Sequence, residues 1–276
     1  MTAPDPRLYE LLSQVFEHPT CDFYRRHYAN SGIRTAADAT AAFDRLPALT
    51  RAHLARTPLA ERLFFEERCF VKIIRSTDEP FLMRANLSAL SKEQYGVRDG
   101  ARALVFLADS DEAMEKSLWC YEQNILPMVC EKQIAQLAPR FAADYTIDTL
   151  LTEENMIIGF WPEFTRLLGL TALKNLVLFG SGFHFQMIHR QFLPQNPVLI
   201  LSLPETGAIA RICPDAFVRG NWIFHPDANC LIEIDERIIM TKLARLATPL
   251  IRYDTGINAR KAECPCSGGR QAFMLV

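Results

Sequence analysis

The spacing of apolar positions changes character twice along this chain of 276 residues. From Arg7 to Phe16, Leu8, Leu11, Leu12, Val15 and Phe16 recur at intervals of three and four, the repeat of an amphipathic helix. Ala36 to Leu46 repeats that pattern and stops before Pro47, which a helix interior does not admit. Thr50 to Ala55 and Leu59 to Arg68 continue it. The first hundred residues are therefore expected to be helical.

From about Arg102 the period shortens. Apolar runs at 103–108, 125–129, 156–159, 176–179 and 198–202 alternate with helical segments around 112–123, 131–140, 163–168 and 183–192. Unbroken β-rich runs separated by helices predict strands buried on both faces of a mostly parallel sheet, an α/β core. In such sheets ligands gather beyond the carboxyl ends of the strands, which directs attention to the loops after Phe179 and Ser202. After Gly207 the texture changes again. Short strand-like pieces at 209–212, 222–224, 230–234, 238–242 and 250–253, joined by turn residues, predict a smaller antiparallel β layer with no helices between. The expected division is an α/β part over residues 1–207 and a β-rich part over 208–276.

Composition narrows the class. With 49% hydrophobic and 22% charged residues the chain is long enough to bury a sizeable core without staples. A formal net charge of −2 gives no electrostatic reason to expect nucleic acid or an anionic membrane as partner. The start Met1-Thr-Ala-Pro-Asp-Pro has neither a basic nor an apolar leader pattern, so the eight cysteines are expected to be reduced thiols in a cytoplasmic protein. The most apolar stretch is broken by His184, Gln186, His189 and Arg190, against a membrane span.

Three constellations carry candidate chemistry. Cys264-Pro-Cys266 places two thiols where a turn lets both reach one ion. Tetrahedral zinc needs two more ligands, for which Cys213 and His225 are the best candidates and Cys230 the reserve. Leu201-Ser-Leu-Pro-Glu-Thr-Gly207 follows a predicted buried strand. Glu205 and Thr206 there suit Mg²⁺ and phosphate oxygens, with Ser202 beside them. Phe179-Gly-Ser-Gly182 offers two glycines after a strand, which permit close approach of a planar ligand. Arg252-Tyr-Asp-Thr-Gly256 mixes charge, hydroxyl and turn glycine in a way that could grip a sugar hydroxyl or a phosphate.

Together, and in this order, these segments resemble the phenylacetate-CoA ligase family of the adenylate-forming superfamily. Leu46-Pro-Ala-Leu-Thr50 matches its Leu-Pro-x-Leu-Thr phrase, and Leu178-Phe-Gly-Ser181 its strand-Phe-Gly-small segment. Ser202-Leu-Pro-Glu-Thr206 is similar to its acidic loop. Pro249-Leu-Ile-Arg-Tyr-Asp-Thr-Gly-Ile257, with Cys264-Pro-Cys-Ser267, matches its tail motif. The resemblance implies Mg-ATP as cosubstrate and attack of an aryl or acyl carboxylate on the α-phosphate, giving acyl-AMP and pyrophosphate. It also implies structural zinc, with Cys213 and His225 falling where some of these ligases hold it. Glu205 would be the Mg²⁺ ligand, Thr206 a phosphate contact, and Gly180, Ser181 and Gly182 a wall against adenine or the acid's ring. The implied partners are the small aromatic or acyl carboxylate, a protein supplying a lid domain or an acyl acceptor, and a second copy of the chain.

The departures matter as much. The family's Gly-rich phosphate loop falls at Arg75-Ser-Thr-Asp-Glu-Pro80, where Ser76 and Thr77 remain but the glycines are gone and two acids intrude. The ribose-binding aspartate is replaced by Ile257, so Asp254 or Asn258 would have to substitute. On the resemblance the chain also ends, at Val276, before the lid that carries the catalytic lysine. Two readings follow: a truncated adenylating domain, or a non-catalytic relative that binds without ATP chemistry. A hydrolase built on Ser181 or Ser202 with His184 or His189 lacks the nucleophile-elbow motif.

Overall fold

A computed structural model describes residues 5–18, 22–58, 61–64, 71–76, 79–84, 97–108, 110–130, 132–168, 173–182, 197–243, 248–266 and 271–276. Helix α1 (Pro6–Glu17) opens on Asp5, whose carboxylate accepts the Arg7 amide at 2.9 Å, and on Pro6, whose missing donor costs nothing in the first turn. Its five periodic apolar residues are all buried. Helix α2 (Phe23–Ala29), which the spacing did not reveal, adds Phe23, Tyr24 and Tyr28 to the same core.

Helix α3 (Ala36–Ala41) is set by a capping box between Thr35 and Asp38. It is shorter than the expected 36–46, passing at Ala42 into a tight turn over Phe43–Arg45. The Arg252 side chain explains the stop, because its Nη1 takes the carbonyls of Asp44 and Leu46 and so holds them outside a helix. Helix α4 (Arg51–Ala55) is capped by Thr50. The helix expected over 59–68 falls largely outside the described residues.

The expectation that the first hundred residues are helical fails at β1 (Val71–Ser76) and β2 (Glu79–Arg84), an antiparallel hairpin in which Ser76 pairs with Glu79. Val71, Ile73 and Ile74 are β-branched, a strand signal that outweighs the weak helical period.

The core is one sheet of eleven described strands. Strands β3 (Arg102–Phe106), β4 (Leu126–Val129), β5 (Thr149–Glu153), β6 (Asn175–Gly180) and β7 (Val198–Leu203) are parallel, in the order β4-β3-β5-β6-β7. Alternate residues serve two cores. Leu104, Phe106, Leu150, Leu176, Leu178, Leu199 and Leu201 join the larger core, with α1 to α4 and α7 (Glu154–Leu168). Ala103, Val105, Leu151, Val177, Phe179 and Ile200 face α5 (Ser110–Glu122) through Trp119 and Cys120. Each large side chain so buried contributes about 1.5–3 kcal/mol, which is why these strands read as unbroken apolar runs.

Besides β5, which no expected run covered, two parts of that α/β core differ from expectation. The run 156–159 is helical and lies within α7, where Met156, Ile157, Trp161 and Phe164 are buried at helical spacing despite Gly159 and Pro162. The helix expected over 131–140 is instead a 3₁₀ stretch over Lys132–Leu137, kinked at Ile134, followed by α6 (Ala138–Asp144). The segment 183–192 lies outside the described residues.

Strands β8 (Gly207–Ile212), β9 (Ile223–Pro226), β13 (Phe273–Leu275), β12 (Tyr253–Lys261), β11 (Arg237–Lys242) and β10 (Cys230–Asp235) continue the sheet antiparallel, in that order from β7. A short helix, α8 (Pro214–Val218), interrupts the stretch where none was expected. Residues 250–252 are not a strand: Arg252 adopts a left-handed φ of 47°, and β12 starts only at Tyr253. Among the described residues no helix is long and apolar enough to cross a membrane.

Candidate functional site

Strands β6 and β7 run side by side, Gly180 opposite Leu201, so the turns leaving their carboxyl ends are neighbours. Gly180 is required by packing. A Cβ there would lie 2.3 Å from Cδ of Glu154, the first residue of α7. The Glu154 carboxylate, almost fully buried, accepts the Ser181 amide at 2.9 Å and its hydroxyl at 3.2 Å, and so fixes the turn. Gly182 has a φ of 90° and sits against Leu275 of β13 and Leu201 of β7. Its backbone conformation and its lack of a side chain are both used.

Glu205 and Thr206 occupy the turn between β7 and β8, beside Gly207 at a φ of 62°, and both side chains are buried. The Thr206 hydroxyl donates to the carbonyl of Gly207 at 2.9 Å. Ser202, half-buried, pairs with Ala208 beside a bulge that re-aims the end of β7. The Glu205 carboxylate faces two donors on one oxygen, Arg51 Nη2 at 2.5 Å and Tyr253 Oη at 2.9 Å. Burial, and then the neighbouring carboxylate, push the Tyr253 phenol well above its ordinary pKa, so it donates as a neutral group. For Arg51, burial opposes the charge but the bond to Glu205 prevails, and its pKa is raised.

The Leu46–Thr50 phrase and the Arg252–Gly256 motif, far apart in sequence, are paired in space. Leu49 N donates to the Arg252 carbonyl and Asp254 N to the Leu49 carbonyl, both at 2.8 Å. Arg252 grips Glu233 with two nitrogens, at 3.1 and 2.8 Å. Asp254 accepts the Gly256 amide at 2.9 Å on one oxygen and Arg237 at 3.2 Å on the other. Asn258 is exposed on β12. Ile257, half-buried, packs against the larger core. Ser76 ends β1, and Thr77 lies outside the described residues.

His225 lies 39 and 41 positions before the two cysteines of the Cys-x-Cys pair, yet the fold assembles all four predicted metal ligands. The ligand atoms of Cys213, His225, Cys264 and Cys266 lie within 4.8 Å of one another. Cys213 precedes α8, His225 is on β9, and both cysteines of the pair sit in the turn after β12. The Cys264 sulfur is 3.3 Å from that of Cys213, and His225 Nε2 is 3.2 Å from the sulfurs of both Cys264 and Cys266. Around a tetrahedral ion such edges measure about 3.5–3.8 Å, so these three contacts fall within a few tenths of an ångström of that geometry. His225 Nδ1 lies 2.9 Å from the Gln271 carbonyl, which can only accept; the proton therefore sits on Nδ1, and the Nε2 lone pair points at the sulfurs. Cys230 lies elsewhere, with its sulfur 3.4 Å from Lys242 Nζ, and burial pushes its thiol up to about 11.

Two groups at the site escaped sequence reasoning. Arg51 follows directly on the Leu-Pro-Ala-Leu-Thr phrase, and that adjacency is its only signal. Glu154 begins a helix at a strand's carboxyl end, a position that favours a carboxylate.

The fold is similar to that of solved acyl-CoA ligase structures. An open conformation of 2-hydroxyisobutyryl-CoA ligase, in complex with 2-HIB-AMP and CoA, superposes on 98% of this chain and 71% of its own, at 16% identity and a TM-score of 0.73. The same ligase in its postadenylation state gives 0.70 at 15% identity, over 98% of this chain and 65% of its own. Unliganded O-succinylbenzoate coenzyme A synthetase from Bacillus subtilis matches 75% of this chain and 48% of its own, at 11% identity and a TM-score of 0.53. The chain thus spans less than two thirds of the length of most of these structures. No protein-family model and no curated protein matches the sequence.

Proposed function

We propose that this chain is the acid- and nucleotide-binding part of a carboxylate-activating ligase of the phenylacetate-CoA ligase type, which joins an aryl or acyl carboxylate to AMP. One observation carries the reading. The Gly180–Gly182 turn, the Glu205–Thr206 turn and the Leu49–Tyr253 pairing come together at the carboxyl edge of β6 and β7, in a chain with the fold of these ligases.

In that reaction the acid's oxygen attacks the α-phosphate of ATP, and pyrophosphate leaves. The glycine turn, held by Glu154 and packed against Leu275, would form a fixed wall at the edge of the acid or adenine pocket, not an open backbone face. Asp254, second in β12, and the exposed Asn258 further along that strand stand nearest to the role that Ile257 cannot fill. Glu205 supplies the single carboxylate that Mg²⁺ takes alongside phosphate oxygens, and bound Mg²⁺ would offset charge building on those oxygens. CoA, bound by the 2-hydroxyisobutyryl-CoA ligase above, fits the acceptor role. The acceptor step would use the part of such ligases that this chain does not span.

Three thiolates and one imidazole, with no position left open, favour zinc in a structural role. The ion would tie the turn after β12 to β9 and α8.

Exchange of labelled pyrophosphate into ATP, measured across a panel of aryl and acyl acids, tests the activity. Exchange with at least one acid, lowered about a hundredfold in Glu205→Gln, is expected. Silence with every acid at saturating ATP would overturn the catalytic reading and favour a binding protein.

A further inference from the structure

Glu205 is placed in an unusual way for a cation ligand. Its side chain has no solvent exposure (0%), whereas Arg51, 43% exposed, reaches down from the surface onto the same Oε1 that accepts Tyr253. A hydrated divalent cation needs an open approach to a carboxylate oxygen at about 2.0–2.1 Å. The guanidinium stands on that oxygen and repels a second positive charge. Arg51 is also the first residue of a helix of only five residues, and a long, half-exposed side chain there can turn outward without unpacking the core.

We propose that Arg51 is an exchangeable counter-ion: it neutralises Glu205 in the absence of a divalent cation and swings out when one binds. The inference rests on the reading of Glu205 as the Mg²⁺ ligand. It makes Arg51 a positioning residue, since it acts only through Glu205. The exchange keeps the buried carboxylate from ever being unpaired, a condition that costs several kcal/mol. It also makes cation binding weaker than an open carboxylate would allow, by the strength of the pair that must be broken. For a pair with one exposed and one buried partner that is about tenfold in affinity. Tyr253, a neutral donor, holds the carboxylate in place throughout.

The test uses the full chain in four forms: wild type, Arg51→Gln, Glu205→Gln and the double variant. The probe is Mn²⁺ alone, titrated by electron paramagnetic resonance, with the rise in Tm on adding Mg²⁺ as a second readout that needs no activity. Arg51→Gln should bind Mn²⁺ about tenfold more tightly than wild type and gain more Tm from Mg²⁺. Both effects should vanish in the double variant. Should Arg51→Gln not fold, Arg51→Lys, which keeps the charge but reaches less far, should show a smaller gain in the same direction. Unchanged affinity in the Arg51 variants, with binding still lost in Glu205→Gln, overturns the exchange and leaves the proposed function standing. Equal Mn²⁺ binding in all four forms removes Glu205 as a ligand, and the exchange with it.

Discussion

Replacing Arg252 by alanine should loosen the N-terminal helices from the sheet, and the geometry sets the size of the effect. Arg252 makes a two-pronged ion pair with Glu233 and also donates from Nη1 to the carbonyls of Asp44, at 2.8 Å, and Leu46. Its side chain is 13% exposed and that of Glu233 32%. Breaking a buried pair from one side costs about 3–5 kcal/mol, and exposed pairs cost under about 1. Glu233 is close to a third exposed, so water takes over part of its charge, while the two carbonyls lose a charged donor. The sum is about 3 kcal/mol. The backbone strain survives that change, because residue 252 has a φ of 47° and any side chain with a Cβ in the left-handed region costs about 1 kcal/mol. Arg252→Gly removes the same contacts but relieves that strain, so it should lose only about 2 kcal/mol. Urea unfolding followed by circular dichroism, with the slope checked for constancy, measures both. A loss below about 1 kcal/mol in Arg252→Ala would refute the clamp, and equal losses in the two variants would refute the strain term. A double-mutant cycle with Glu233→Gln should show coupling of at least about 1 kcal/mol.

Protein purified without added metal should carry about one zinc per chain, and chelation or Cys264→Ser should release it and lower Tm; thiols that titrate freely in protein as purified would contradict the cluster. Cys264→Ser and Cys266→Ser should not be additive, since either one already opens the site. Gly180→Ala should cost about 1–3 kcal/mol, because the new methyl lands on Glu154. Glu154→Ala in the same chain should recover part of that loss, and strict additivity would show that the clash is absent. Acidification should destabilise the protein through His27, whose Nε2 is buried without a hydrogen-bond partner and whose pKa is lowered by burial, then by His53. A base with a depressed folded pKa lends stability that is complete above about 6.5, its unfolded value, and is lost as pH falls from there through the folded pKa. Tm should therefore fall on acidification across that window. His27→Phe should flatten the decline, and an unchanged slope would discount His27.

What could be read from the sequence divides along a physical line. Helix α1, the five parallel strands other than β5 and most of the antiparallel pieces declare themselves through local period, because each buries its own alternate or 3–4 residues. Met156–Gly159 misled for the opposite reason. Four apolar or small residues have no period of their own, and only the wider run through Trp161 and Phe164 shows that the buried face is helical. The β1–β2 hairpin was hidden by a neighbouring helical pattern that its β-branched residues should have interrupted.

The candidate site shows the same division at longer range. The metal cluster was legible because cysteine and histidine are few and chemically specific, so four scattered positions sufficed to name it. The pairing of Leu49 with Tyr253 was not, although both phrases had been singled out, since nothing local in either states which strand edge the other will meet. Arg51 follows from that pairing. Once Leu49 is hydrogen-bonded to both flanks of Tyr253, the residue two positions later is carried to Glu205, and the N-terminal helices become part of the site instead of a scaffold beside it. In its left-handed conformation Arg252 offers its carbonyl to the Leu49 amide while its side chain reaches Glu233. A motif that reads as nucleotide chemistry in sequence thus spends its arginine on Glu233 and the Asp44–Leu46 turn, and its tyrosine on the Glu205 carboxylate.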